Sequence, residues 1–296
     1  MSLPVPPRVA VNSPWLVPFD GSFSVAEAAT TAPEVEQKQD LKKALRRRRK
    51  QIRDLQRVLY AHDRHSILLV FQAMDAAGKD STIRAVLSGV NPAGCQVHSF
   101  KKPSSEELDH DFLWRTACRL PERGRIGVFN RSYYEEVLVV RVHPGILDGQ
   151  RLPHVNPESI WQERLHSIRE HEAHLARNGT VILKFWLNVS RTEQRARFLS
   201  RLDEPEKNWK FAAGDVKERG HWDAYMQAYQ EALCATSRPW APWFAIPADD
   251  KERMRYEVAT IIAEVMGGLD MSYPTVSSSD LEHFSELRAA LLAEPS

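Results

Sequence analysis

The sequence predicts an α/β fold in which a mostly parallel sheet is covered by helices on both faces. Three observations carry that prediction. Residues 67–71, Ile-Leu-Leu-Val-Phe, form an apolar run with the length and β-branched content of a buried strand, and they enter a small-residue turn and then a helical stretch at 80–90. Further short apolar runs at 95–100, 125–130, 180–188 and 243–247 alternate with helical segments, the pattern of βα units. The chain has 296 residues, 43% of them hydrophobic, enough for one large domain with extensions.

Taken in order, residues 1–35 are rich in Pro, Ala, Val and Ser with weak periodicity, which predicts a flexible, poorly ordered N-terminal arm. Residues 36–60 read as a helix with an apolar stripe of Leu41, Leu45, Ile52, Leu55 and Leu59. Around the stripe lie Lys42, Lys43 and the run Arg46-Arg-Arg-Arg-Lys50, either a solvated face or a surface that gathers a long polyanion. The strand at 95–100 is followed by a helix over 104–118, capped by Ser104 or Ser105. The third strand, 125–130, ends in Asn130-Arg-Ser-Tyr-Tyr-Glu-Glu136, and a loop spans 143–157. A helix over 157–178 stops at Gly179, a C-cap residue. After the fourth strand come a helix at 190–202, a charged excursion to 214, a helix at 215–235, the fifth strand and a helix at 252–266. Residues 270–296 read as a tail with an amphipathic helix at 281–292.

Composition excludes several classes. No apolar stretch approaches the roughly 20 residues that span a bilayer, and the N-terminus lacks the apolar core of a signal peptide. Three isolated cysteines, 95, 118 and 234, fit a reduced, cytoplasmic protein. A net charge of +1 names no partner. No aromatics are interleaved with the basic run, which argues against nucleic acid. His166, His171 and His174 have no matching ligand framework and carry no metal site.

The chemistry concentrates where the first strand meets its helix. Ala73-Met-Asp-Ala-Ala-Gly-Lys79-Asp-Ser81 is a variant of the phosphate loop G-x-x-x-x-G-K-[ST]. In such a loop the backbone N–H groups of Ala76, Ala77, Gly78, Lys79, Asp80 and Ser81 curl round a phosphate at a helix N-terminus. Gly78 leaves room for that approach, and Lys79 adds a point charge. Ala73 replaces the first Gly, and Asp80 replaces the hydroxyl residue that usually meets Mg²⁺. Asp75 inside the loop makes sense if it holds Mg²⁺ against the phosphate. Ligands of a parallel sheet bind beyond the carboxyl ends of its strands, so Arg131, leaving the third strand, is placed to reach phosphate oxygens. Glu135, one turn later, is placed to approach the same metal. Arg197 and Arg201 lie i, i+4 on one helix face, where small phosphate-loop kinases carry a lid over the transferring phosphoryl group.

These stretches resemble the polyphosphate kinase 2 family. The carrying motifs are Phe71-Gln-Ala-Met-Asp-Ala-Ala-Gly-Lys-Asp80, Val90-Asn-Pro-Ala-Gly94, Phe129-Asn-Arg-Ser-Tyr-Tyr134 and Leu202-Asp-Glu-Pro-Glu-Lys-Asn-Trp-Lys210, in the family's order across about residues 40–270. The resemblance implies a three-layer αβα, phosphate-loop kinase-like domain over 36–269 with a five-stranded sheet and a helical lid about 190–214. It implies Mg²⁺-dependent, reversible phosphoryl transfer from inorganic polyphosphate to ADP, giving ATP. Carried over by position, Asp75 is the acidic loop residue at the metal, Lys79 and Arg131 grip phosphates, and Arg197 and Arg201 match lid arginines. Many members have Asp where this chain has the neutral Asn130, which cannot carry the metal's countercharge; Glu135 replaces it, a pattern that resembles members acting on both nucleoside mono- and diphosphates, so Glu135 and Asn130 stand after Asp75 as further metal ligands and AMP is expected as a second acceptor. The competing readings are a conventional ATP-dependent kinase and a nucleotide-dependent switch; the latter would need an Asn-Lys-x-Asp base-reading motif, which does not occur. The tail helix and the basic helix are surfaces on which a homo-oligomer could pack.

Overall fold

The structure is a computed structural model that describes residues 12–33, 38–211 and 213–294. Five parallel strands, β1 (Ser66–Ala73), β2 (Cys95–Ser99), β3 (Ile126–Asn130), β4 (Thr180–Asn188) and β5 (Trp243–Pro247), form one sheet in the order β2-β3-β1-β4-β5. Every residue of β1 is buried, as the unbroken apolar run requires of a central strand covered on both faces. The register sets Phe71 opposite Asn130 on one side and Phe185 on the other, so β1 and β3 end at one edge of the sheet. The connections diverge on either side of β1, and the crevice opened there is where a parallel sheet binds ligands.

The helices are α1 (Lys38–His62), α2 (Lys79–Val86), α3 (Ser105–Asp109), α4 (Trp114–Ala117), α5 (Val139–Val142), α6 (Ile160–Arg177), α7 (Arg191–Asp203), α8 (Ala213–Arg219), α9 (Trp222–Thr236), α10 (Lys251–Gly267) and α11 (Ser278–Leu292). The apolar stripe of α1 buries Leu41, Ile52 and Leu59 and packs along α10, with Lys42–Glu252 at 3.3 Å and Arg48–Glu264 at 3.1 Å tying the same two helices. Gly179 follows α6 with φ 91°, the left-handed stop that its position predicts. Among the described residues no helix is long and apolar enough to cross a membrane.

Three expectations need correction. The 104–118 helix is two short ones. Ser104 and Glu107 close a capping box on α3, but the Asp111 carboxylate accepts from Leu113 N at 2.9 Å, a local turn that competes with helix and starts a new one. The 215–235 helix is likewise broken, at Gly220-His221, where Gly220 N bonds back to Lys217 O at 2.9 Å. The arm expected to be poorly ordered over 1–35 is packed through residues 12–33, while residues 1–11 and 34–35 lie outside the described residues. Val17 is fully buried, its N–H donates to Trp243 O at 2.9 Å, and Trp15 O accepts from Ala245 N at 2.8 Å. The arm therefore covers the open edge of β5, whose unpaired backbone groups would otherwise face solvent. Farther along, Asn188 Nδ2 donates to Ala28 O at 3.0 Å and Ala29 O at 3.1 Å, and Asp249 N donates to Thr30 O at 3.0 Å.

Candidate active site

The loop from β1 to α2 turns through two left-handed residues, Ala76 at φ 61° and Gly78 at φ 104°. For an alanine that conformation is strained, and such strain persists only where the surroundings enforce it. Here Arg197 enforces it. Its Nη1 donates to Ala76 O at 3.2 Å and Ala77 O at 2.7 Å, its Nη2 to Ala248 O at 2.7 Å and Asp249 O at 3.0 Å, and its Nε to Glu193 at 2.8 Å. Arg197, expected to close over the transferring group, has its side chain buried beneath the loop and bound to the loop's carbonyls. The neighbouring Gln194 reaches the same loop, donating to Asp75 O at 2.9 Å and accepting from Arg219 of α8 at 2.7 Å. The sequence offered one clue to Gln194, its i−3 spacing from Arg197 in an otherwise charged helix.

Lys79, the first residue of α2, turns its Nζ back to Ala73 O at 2.7 Å. Burial, with Arg131 nearby, pushes its ammonium below the ordinary lysine range, partly countered by Asp75 and Glu135. Arg131 leaves β3 with φ 64° and its N–H on Phe71 O at 3.1 Å, which directs its guanidinium across the end of β1. There it donates to Asp75 Oδ1 at 3.0 Å and Glu135 Oε2 at 3.5 Å. Burial holds the Glu135 carboxyl above its usual range, opposed by Arg131 and Lys79.

The structure thus brings Asp75, Lys79, Arg131 and Glu135 together. It sets Asn130 apart from them. The Asn130 amide donates to Asp80 Oδ1 and, at 3.3 Å, to Ser99 Oγ, so its nitrogen is a donor to the residue that replaced the loop's usual hydroxyl. Those bonds engage the Asn130 nitrogen and not the oxygen through which an amide would meet a metal. Asp75 and Glu135 remain a donor set suited to Mg²⁺, which commonly takes one or two carboxylates with phosphates and water. Among the described residues no group of three or more His, Cys, Asp or Glu is gathered as a metal site.

Asp75, Arg131 and Glu135 line an open cavity of about 330 Å³ together with Asp215, Glu218 and Tyr225. Asp215 and Glu218 come from α8, the returning arm of the lid, and were not singled out in the sequence. Arg201 pairs with Asp215 at 3.2 Å, so it faces the cavity rim while Arg197 points under the loop. Asn208, in the turn between α7 and α8, donates to Arg201 O at 2.8 Å and Leu202 O at 2.9 Å and so caps α7. A larger hollow of about 490 Å³ lies beneath residues 144–161, but its walls of Leu147, Leu152, Val155 and Trp161 are mainly apolar and away from the loop.

The phosphate loop at a sheet switch point, an Arg131 fork between two carboxylates, and a lid of two helices are the parts of a phosphoryl-transfer site. The family model of polyphosphate kinase 2 matches residues 35–273. The chain belongs to the polyphosphate kinase 2 family. It is 56% identical over 262 residues to the ADP-polyphosphate phosphotransferase of Rhodopseudomonas palustris, covering 88% of this chain and 91% of that protein. It is 47% identical over 225 residues to the AMP/ADP-polyphosphate phosphotransferase of Meiothermus ruber, covering 76% and 80%. Among solved structures, polyphosphate kinase 2 from Arthrobacter aurescens TC1 superposes with a TM-score of 0.82 at 33% identity, covering 96% of this chain and 99% of that one. This member of the family has the expected phosphate-loop kinase-like αβα fold, with all five strands parallel.

Proposed function

We propose that this chain transfers the terminal phosphoryl group of inorganic polyphosphate to ADP, reversibly, and that it accepts AMP as well. The observation that carries the reading is the Arg131 fork, set between Asp75 and Glu135 at the mouth of the phosphate loop. An acceptor phosphate oxygen attacks the terminal phosphorus of the chain. The bond to the next phosphate breaks, and the shortened polyphosphate leaves with the electron pair. No covalent enzyme intermediate is needed, since positioning and electrostatics suffice.

The backbone amides of 76–81 hold phosphate oxygens at the N-terminus of α2. Lys79 exchanges Ala73 O for a phosphate oxygen, a move favoured because its buried ammonium gains an anionic partner. Arg131 turns its free N–H edge to the transferring group. Asp75 and Glu135 would hold Mg²⁺, which when bound neutralises charge on that group. The lid over 191–219 keeps water from competing as acceptor. Among the relatives, the one at 56% identity is named for ADP and the one at 47% for AMP and ADP. Dual use here is supported by the Asn130 amide nitrogen being held by Asp80 and Ser99 while Glu135, one of the carboxylates lining the cavity, stands beside Arg131 and supplies the charge that Asn130 lacks. The three cysteines are free thiols, as suits a cytoplasmic enzyme.

The test is product analysis with polyphosphate, Mg²⁺ and each of AMP, ADP, GMP and GDP. Formation of ADP from AMP and of ATP from ADP is expected. Product from ADP alone removes the second acceptor, and a strict need for ATP as donor removes the reading altogether.

A further inference from the structure

Behind the Arg131 turn lies a buried polar cluster that phosphoryl transfer leaves unexplained. Glu172 of α6 and Lys184 of β4 are both fully buried, with Nζ donating to Oε2 at 2.6 Å. Lys184 also donates to Thr236 O at 2.8 Å and Tyr134 Oη at 3.0 Å, so each ammonium proton has an acceptor. Burial nevertheless pushes the Lys184 ammonium down to about 8. The second carboxylate oxygen of Glu172 lies 2.9 Å from the hydroxyls of both Tyr133 and Tyr134. Two consecutive side chains reach one oxygen because residues 133–136 form a tight 3-10 turn, not a strand.

A buried ion pair is weak evidence for stability, because apolar residues of similar volume stabilise as well or better. What it can do is fix a conformation. Tyr134 is held at both ends: its N–H donates to Ser132 Oγ at 3.1 Å, Ser132 Oγ accepts from Gln72 at 3.1 Å, and its hydroxyl meets Glu172. Arg131 enters this turn in a strained left-handed conformation, and Glu135 lies within it. We propose that the Glu172–Lys184 pair is a positioning element: through the two tyrosyl hydroxyls it fixes the 133–136 turn so that Arg131 and Glu135 stand against Asp75. The proposal rests on the assignment of Arg131 to the transferring phosphate made above.

The experiment uses the full chain with ADP and long-chain polyphosphate. The variant Glu172→Gln/Lys184→Met keeps volume while removing both charges, and Tyr133→Phe/Tyr134→Phe removes only the two hydroxyls. Each is made alone and with Arg131→Lys, and each is checked for its thermal midpoint and assayed well below it. Both are expected to lower kcat by roughly tenfold or more, the scale of a small misplacement of a reacting group. KM for polyphosphate should stay within about twofold, since most of the chain binds elsewhere. With Arg131→Lys already present, the further loss should shrink severalfold, because one of the two groups being positioned is gone. A lowered midpoint with unchanged kcat would make the pair structural only. An equal loss in both backgrounds would show that it acts through some other group. If Arg131→Lys alone leaves kcat intact, the assignment of Arg131 fails first and the positioning role falls with it.

Discussion

Replacing Arg197 separates two roles that sequence spacing alone confuses. Arg197→Met keeps most of the volume and removes all five donor contacts, four to backbone carbonyls and one to Glu193. Each buried carbonyl left without a partner costs about 1–3 kcal/mol. The bonds to Ala77 O and Ala248 O are buried and those to Ala76 O and Asp249 O only partly so, and counting the two buried carbonyls in full gives a loss of about 4 kcal/mol, within the 5–15 kcal/mol of an ordinary domain. The thermal midpoint should fall by roughly 8–16 °C while the chain still folds. The loosened loop should raise KM for polyphosphate, with kcat reduced by about tenfold or less, equally for ADP and AMP. The assay is differential scanning calorimetry beside initial rates at 25 °C, far below the midpoint. A midpoint within about 2 °C of wild type, together with a kcat loss of 10²–10⁴, would refute the reasoning and return Arg197 to the transferring group.

Three further outcomes are expected. Asp75→Asn should lower kcat by on the order of 10²–10⁴ while the midpoint hardly moves, measured by initial rates and calorimetry. Because burial raises the Glu135 pKa in the free enzyme, that carboxyl takes up its proton at a higher pH than an exposed glutamate, so the acid limb of kcat/KM should lie on the alkaline side of the usual carboxylate range. Glu135→Gln should lose that limb along with most activity, whereas Asn130→Ala should cost less, as pH–rate profiles of both variants would reveal. On α1, Arg48 is engaged with Glu264 and Arg49 with Ser88 O, leaving Arg46, Arg47 and Lys50 exposed; changing those three to Gln should raise KM for long polyphosphate and flatten its salt dependence, and unchanged values would mark an ordinary solvated face.

What the sequence disclosed followed from local pattern. The strands were legible because a central parallel strand is buried on both sides and reads as an unbroken apolar run, as β1 does. The loop was legible because Gly78 and Lys79 have fixed jobs at a strand–helix junction. Arg131 and Glu135 followed from their place after β3. The rest depended on contacts distant in sequence. Residues 12–33 show no period because their partners, the β5 edge for 15–17 and Asn188 and Asp249 farther along, lie about 160 residues or more away in sequence. Helical spacing put Arg197 and Arg201 on one face but could not say that the loop's carbonyls lay under one of them and α8 beside the other. Asp215 and Glu218 reach the cavity only because the chain breaks at Gly220 and folds α8 back.

The pairing of α1 with α10 has a consequence for how the protein is made. The helix that begins the domain finds its main partner in the helix that ends it. At 5–20 residues per second, roughly 10–40 s of synthesis separate the emergence of His62 from that of Lys251. Throughout that interval Leu41, Ile52 and Leu59 have no native surface to cover them, and β1 lacks its neighbour β4 until residue 188 has left the ribosome. A chain released before α10 would leave that apolar stripe exposed, and it is expected to be more protease-sensitive than the full domain instead of a smaller folded one.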